Sequence, residues 1–488
     1  MSARRFLLCL TSVFFAAGRS IAGVEGFIVT TDHTVDPTSL ETIVRDVVRI
    51  SGARTSDEKA IAIYEYLHQA IFHRACPVEG KPQSVGPLKL LNAYGWALCG
   101  SQHTALKALY ETAGWKCRYL GWPGHSTIEV FYDGRWHYLD VFLKCYFWSK
   151  DKTHVVSQEE IAADPSIVLD AVKDGRAAPQ HLCCGDSPED VVKGCKARVD
   201  YGDSKGWGEL TWRDEGYSPR LILPVGARLR LDWSGMENGF VVAIPHGPPV
   251  HTCGTKDFVN DHKLGPILEH YGSRSWSNGR FEYAPRFDRP AEVRDIELQN
   301  ANVEKSRIVA TNGKGIAIFK ASLPYPFVNG EVDARFEGGD GTLFLSLDEG
   351  RTWSPMKSGD ASQWVRQKYS VWIKAEFASA MTHFQFSAMV EHNRGVLPYF
   401  VNGKNRVSAS FQPESLPDRV VGEVVFVYQE AEAPKLKGGR PFNGRDVVYG
   451  PIRTVTRQFT RAPFSFDLDV GGDTPPKMIS VERSLRAQ

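Results

Sequence analysis

Three residues in the first third of the chain have the types and the order that build an activated thiol. Cys99 opens the run CGSQHTALKALYETAG, His125 opens HSTIEVFYDGRWHYLD, and Asp140 closes it. Together they can act as nucleophile, base and orienting group. The apolar positions Ala105, Leu106, Leu109 and Ala113 predict a helix that starts at Cys99 and stops at Gly114. A helix N-terminus lowers a cysteine pKa because unpaired N–H groups face the sulfur. The Cys99 N–H is then one candidate oxyanion donor, and a second has to come from upstream or from the helix start, with Asn92, Trp96 and Gln102 as candidates.

Counting places the other two residues. Asp133-Gly134 is a two-residue hairpin signal that pairs Tyr132 with Arg135, Phe131 with Trp136 and Glu129 with Tyr138. Continued, that register sets His125 opposite Phe142 and makes Asp140 its diagonal neighbour. Diagonal neighbours on one face lie about 7–8 Å apart, within side-chain reach. A slip of one residue would send His125 and Asp140 to opposite faces.

The elements that must carry these groups follow from capping and periodicity. Asp36 and Pro37 predict the start of one helix, with Leu40, Ile43, Val44, Val47 and Val48 as its stripe. Thr55 and Glu58 form a capping-box pattern for a second helix, and Ser157 with Glu160 for a later one. A shorter helix starts at Pro188. From about residue 216 the texture turns to alternating runs such as GTLFLSLD, YSVWIKAEF and EVVFVYQEA, with Asn402-Gly403 as a hairpin signal. These patterns predict an α+β chain with antiparallel β-sandwich modules. Its expected segments are 1–22, 23–155, 156–215 (helical, cysteine-bearing), 216–300, 301–433 and 434–488.

Bulk properties narrow the class. A net charge of +1 with mixed signs gives no basic face for nucleic acid. Arg4 and Arg5 precede FLLCLTSVFFAAG, a signal-peptide pattern too short to span a bilayer, with cleavage expected after Ala22. The protein is therefore expected to be secreted or periplasmic and not membrane-spanning. An oxidising destination makes disulfides plausible, with Cys183, Cys184, Cys195 and Cys253 as the expected bridged set. A Cys99 bridge to Cys117 or Cys76 would instead make Cys99 structural. With no P-loop, dinucleotide fingerprint, HExxH or regular metal-ligand spacing, neither cofactor nor metal is expected.

The runs WALCGSQHTALKALYETAGWKCRYLG and GHSTIEVFYDGRWHYLD resemble the core of the transglutaminase-like superfamily, whose design is papain-like. Cys99, Gly114, Arg118, His125, Glu129, Val130, Trp136 and Asp140 match that core in order over about 60 residues. The resemblance implies a papain/transglutaminase-like domain over 23–155, with Cys99 as nucleophile, His125 as base and then acid, and Asp140 as orienter. The Cys99–His125 interval of 26 residues is short for the family, trimming a loop that shapes the cleft in relatives. The expected function is acyl transfer at a peptide or amide substrate associated with the cell envelope or with glycans, hydrolysis being favoured over transamidation. The alternative is a carbohydrate-binding or polysaccharide-processing protein with the papain-like core as scaffold. Two features favour that alternative: SLDEGRTW at Ser346–Trp353, which resembles an Asp-box hairpin, and the polar cluster Glu391, His392, Asn393, Arg394 and Tyr399.

Overall fold

The computed structural model describes residues 23–73, 86–174, 187–202, 216–233, 276–433 and 447–488. The signal-peptide pattern, Cys76, Cys183, Cys184 and Cys253 lie outside the described residues. Strand β1 (Val24–Thr31) leads into helix α1 (Leu40–Ser51). That helix starts later than the Asp36-Pro37 pair predicts. Ser39 and Thr42 cap it reciprocally, while Asp36 Oδ1 accepts from Thr38 N and Oγ1 at 3.0 and 2.6 Å. The Asp36 side chain makes a local turn instead of a cap. Helix α2 (Ser56–Ala70) opens on the expected Thr55–Glu58 box, and helix α3 (Cys99–Thr112) begins at Cys99.

A small sheet follows. Strands β2 (Lys116–Trp122), β3 (His125–Tyr132) and β4 (Arg135–Asp140) are antiparallel neighbours, and α3 packs on β3. Asp133 and Gly134 both take positive φ, 47° and 80°, as a type I′ turn requires. The observed pairs are Tyr132–Arg135, Phe131–Trp136 and Glu129–Tyr138, the register counted from the turn. Next come α4 (Gln158–Ala163), opened by the Ser157–Glu160 box, then α5 (Ser166–Lys173) and α6 (Pro188–Lys196). Strand β5 (Val199–Gly202) then adds to the free side of β2. Residues 156–202 thus complete the sheet begun before them.

The rest is one antiparallel sandwich. It uses β6 (Ala227–Asp232), β7 (Trp276–Tyr283), β8 (Gly315–Ser322), β9 (Gly341–Ser346), β10 (Ser370–Phe377), β11 (Ala380–Asn393), β12 (Gly403–Gln412), β13 (Val420–Glu432), β14 (Val448–Phe459), β15 (Phe464–Val470) and β16 (Thr474–Ala487). One sheet runs β9–β10–β8, a short strand Ile222–Leu223, then β1–β12–β15; the other contains β11–β7–β6–β16–β13–β14. The three expected β segments therefore share two sheets and one apolar core. Strand β1 belongs to the first sheet, with Ile28 opposite Ser410. Asn402-Gly403 makes no hairpin, because β11 and β12 lie in different sheets. The Asn405 amide braces that crossing, accepting from Val401 N at 2.8 Å and donating to Val401 O at 2.8 Å. Among the described residues no helix is long and apolar enough to cross a membrane.

Candidate active site

Because β3 and β4 pair in the counted register, His125 and Asp140 meet on one face. His125 Nε2 donates to Asp140 Oδ2 at 2.7 Å, and the His125 ring stacks on Phe142 at 4.9 Å between centroids. Asp140 is fully buried, and both its oxygens are occupied. Oδ2 also accepts from Tyr138 OH at 2.9 Å, while Oδ1 accepts from Phe142 N at 3.0 Å and Leu143 N at 2.7 Å. The turn after β4 thus wraps the carboxylate and fixes the edge it presents to the imidazole.

With Nε2 committed to Asp140, Nδ1 is the ring nitrogen left for the thiol. It is buried and makes no full hydrogen bond among the described residues. Burial alone would raise the Cys99 pKa. The neighbouring His125 imidazole and its charge, with the N–H groups of Ser126 and Gly100, reverse that and pull it below the usual thiol value. For His125, burial opposes the charge, but Asp140 and Cys99 outweigh it and push the pKa up to about 10. Asp140 is held well below the carboxylate range despite its burial, by the imidazoles of His125 and His103. All three shifts favour a thiolate–imidazolium pair.

His103 and Tyr138 are members of the site that the sequence analysis does not single out. His103 lies one turn after Cys99, and its Nδ1 donates to Cys99 O at 2.8 Å. Since a carbonyl only accepts, Nδ1 carries a proton. Its Nε2 then faces Asp140 Oδ1 at 3.5 Å and Thr127 Oγ1 at 3.4 Å. The i, i+4 spacing from Cys99 is the signal that finds it, as the i, i+2 spacing on a strand finds Tyr138.

The three proposed oxyanion side chains point elsewhere. Asn92 Nδ2 donates to Pro37 O and Leu88 O at 2.8 and 2.9 Å, and Trp96 Nε1 to Glu391 Oε1 at 3.3 Å. Gln102 Nε2 donates to Ala97 O at 3.0 Å. Each is spent on an acceptor of the fold: Asn92 on two carbonyls of the helical region, Gln102 on one near its own turn and Trp96 on a carboxylate of the sandwich. That leaves backbone donors at the start of α3, where Leu98 supplies no side-chain cap.

Cys99 is a thiol, so the bridged alternative does not hold. Cys195 is also a thiol, contrary to the expected bridge: on the buried face of α6 it packs with Tyr138, Val191 and other apolar groups, and burial pushes its pKa up. Among the described residues, His103, His125 and Asp140 form the one group whose ligand atoms lie within 4.8 Å of one another, close enough to hold a metal ion. Four hydrogen bonds at 2.7–3.0 Å already fill Asp140. A metal would have to displace the His125 contact.

Both features that favour a carbohydrate role have structural employment. In the Asp-box-like hairpin, Ser346 Oγ accepts from Gly350 N at 2.8 Å, and Asp348 accepts from Thr352 N and Oγ1 at 2.9 and 2.6 Å. The Glu391–Arg394 cluster is fully buried and joins the sandwich to the helices. Asn393 Nδ2 donates to Ala70 O and Leu91 O at 2.8 and 2.6 Å, and Tyr399 OH to His33 O at 2.9 Å. Burial lowers the His392 pKa to about 4. Below the unfolded value of about 6.5, the unfolded chain binds a proton that the folded chain refuses. Between about pH 6.5 and 4 this one group is therefore expected to remove about 3 kcal/mol of stability. Urea unfolding at pH 7, 6 and 5 checks this: His392→Phe should flatten the slope, and an unchanged slope would contradict it.

No model of a known protein family matches the chain, and no curated protein is significantly similar to it.

Proposed function

We propose that this protein is a cysteine-dependent acyl-transfer enzyme of papain/transglutaminase-like design, acting on amide bonds and releasing the acyl group to water. The observation that carries this reading is the clamped imidazole. His125 is fixed by Asp140 through Nε2, with its Nδ1 side left to a thiol whose pKa is depressed at a helix start.

In this mechanism the Cys99 thiolate attacks the amide carbonyl, and the oxyanion that forms meets backbone N–H groups at the start of α3. As the C–N bond breaks, the His125 imidazolium gives its proton to the leaving amine, and a thioester remains. Neutral His125 then takes a proton from water as the water oxygen attacks the thioester. The acid departs and the thiolate–imidazolium pair is restored. Asp140 keeps the ring in the protonation state and orientation both steps need. Hydrolysis is the simpler outcome because it needs no second binding site for an amine.

The test is a screen of peptide amides for amine release. Cys99→Ala is expected to lower the rate by at least about 10³-fold, the scale of losing a nucleophile. Release that persists in Cys99→Ala would place the chemistry elsewhere.

A further inference from the structure

Helix α6 walls a cleft that opens beside His125. Gly194 lies so close to Trp122 that a Cβ there would stand 2.1 Å from the ring. Trp122 cannot easily yield, since its Nε1 donates to Gln158 Oε1 at 2.7 Å and its ring meets His125 edge-on at 5.1 Å. The wall is fitted to the catalytic histidine. Between them lies a cleft of about 340 Å³, with apolar Phe142, Leu143 and Val191 in its lining and two charged residues of α6, Asp190 and Lys193.

The two charges are not equivalent. Asp190 Oδ2 accepts from Ser187 N and Oγ at 3.2 and 3.0 Å, which turns the carboxylate back to the helix start and holds its pKa low. Lys193, one turn further on, is exposed and has no carboxylate within 4.0 Å among the described residues. An anion entering the cleft therefore meets a lining that carries both Lys193 and the His125 imidazolium, while the one carboxylate of the lining, Asp190, has an oxygen turned to the helix start.

We infer that the cleft takes amide substrates bearing a carboxylate close to the scissile bond, and that Lys193 is the residue that recognises it. This rests on the thiolate reading of Cys99. Specificity of this kind draws on long-range attraction in a partly enclosed site, which weakens with salt.

The test compares alkylation of Cys99 by iodoacetate, which carries the carboxylate, with alkylation by neutral iodoacetamide, in the full chain at pH 7 and low ionic strength. The iodoacetate-to-iodoacetamide rate ratio is expected to fall about threefold in Lys193→Ala and about tenfold in Lys193→Glu. The iodoacetamide rate of each chain is its own reference, so a change common to both reagents cancels in the ratio. Lys196→Glu, on the same helix but outside the cleft lining, should leave the ratio near the wild-type value. An equal ratio in wild type and both Lys193 variants would overturn the inference alone, as would an equal response to Lys196→Glu. A Cys99 slow toward both reagents would overturn the thiolate reading and this inference with it.

Discussion

Replacing Asp140 by asparagine is expected to slow alkylation of Cys99 at pH 6 by about 10²-fold in a chain that still folds. The reason is a choice of tautomer. The Oδ1 position faces two backbone N–H groups at 3.0 and 2.7 Å, so the amide nitrogen of asparagine cannot sit there. It must take the Oδ2 position, opposite His125 Nε2 and Tyr138 OH. The Tyr138 hydroxyl can rotate to accept, but the imidazole has to present a bare Nε2 and move its proton to Nδ1. A neutral ring protonated at Nδ1 cannot accept the thiol proton there. Cys99 then returns toward an ordinary thiol pKa of about 8.5, and the thiolate fraction at pH 6 falls accordingly. An Asp140→Asn chain labelled at the wild-type rate would show that the carboxylate does not control the imidazole.

What the sequence made legible was local. Asp133-Gly134 fixes its own turn, the turn fixes the register, and the register delivers His125 to Asp140. The Thr55–Glu58 and Ser157–Glu160 boxes work within four residues. Distant partners were not legible. Trp96 looks available to the Cys99 site until Glu391 of the sandwich claims its indole N–H. Strand alternation marks β1 as a strand, but nothing near it in sequence says that Ser410 will lie beside Ile28. Asn402-Gly403 carries a hairpin signal, yet its flanking strands are drawn into opposite sheets of the sandwich.

The joint between helices and sandwich gives the second large effect. Asn393→Ala is expected to cost about 4 kcal/mol, because it strands two buried carbonyls and one half-buried N–H at about 1–3 kcal/mol each, less some local relaxation. The Ala70 and Leu91 carbonyls lose their donor, and the Gly395 N–H loses the Asn393 Oδ1 acceptor at 2.8 Å. Gly95 makes this contact possible. Its φ is +67°, and a Cβ there would lie 2.5 Å from the Asn393 side chain. Gly95→Ala should therefore also destabilise, by left-handed strain of about 1–2 kcal/mol plus the clash. Once Asn393 is alanine the clash has no partner. The double variant should accordingly be more stable than the sum of the single losses implies, by about 2 kcal/mol. Chemical unfolding of the four proteins at pH 7 measures this, and strict additivity would mean that the two residues do not share the joint.

The most direct measurement is the pH profile of Cys99 alkylation by iodoacetamide, mapped by mass spectrometry in the wild-type chain and in His125→Ala. If the imidazolium holds the thiolate, wild-type labelling is fast at pH 6 and nearly level to pH 8. The His125→Ala rate then climbs about tenfold per pH unit toward an ordinary thiol pKa near 8.5. Two superimposed profiles, both rising through that range, would mean that Cys99 is an ordinary thiol and that the clamped histidine serves no nucleophile.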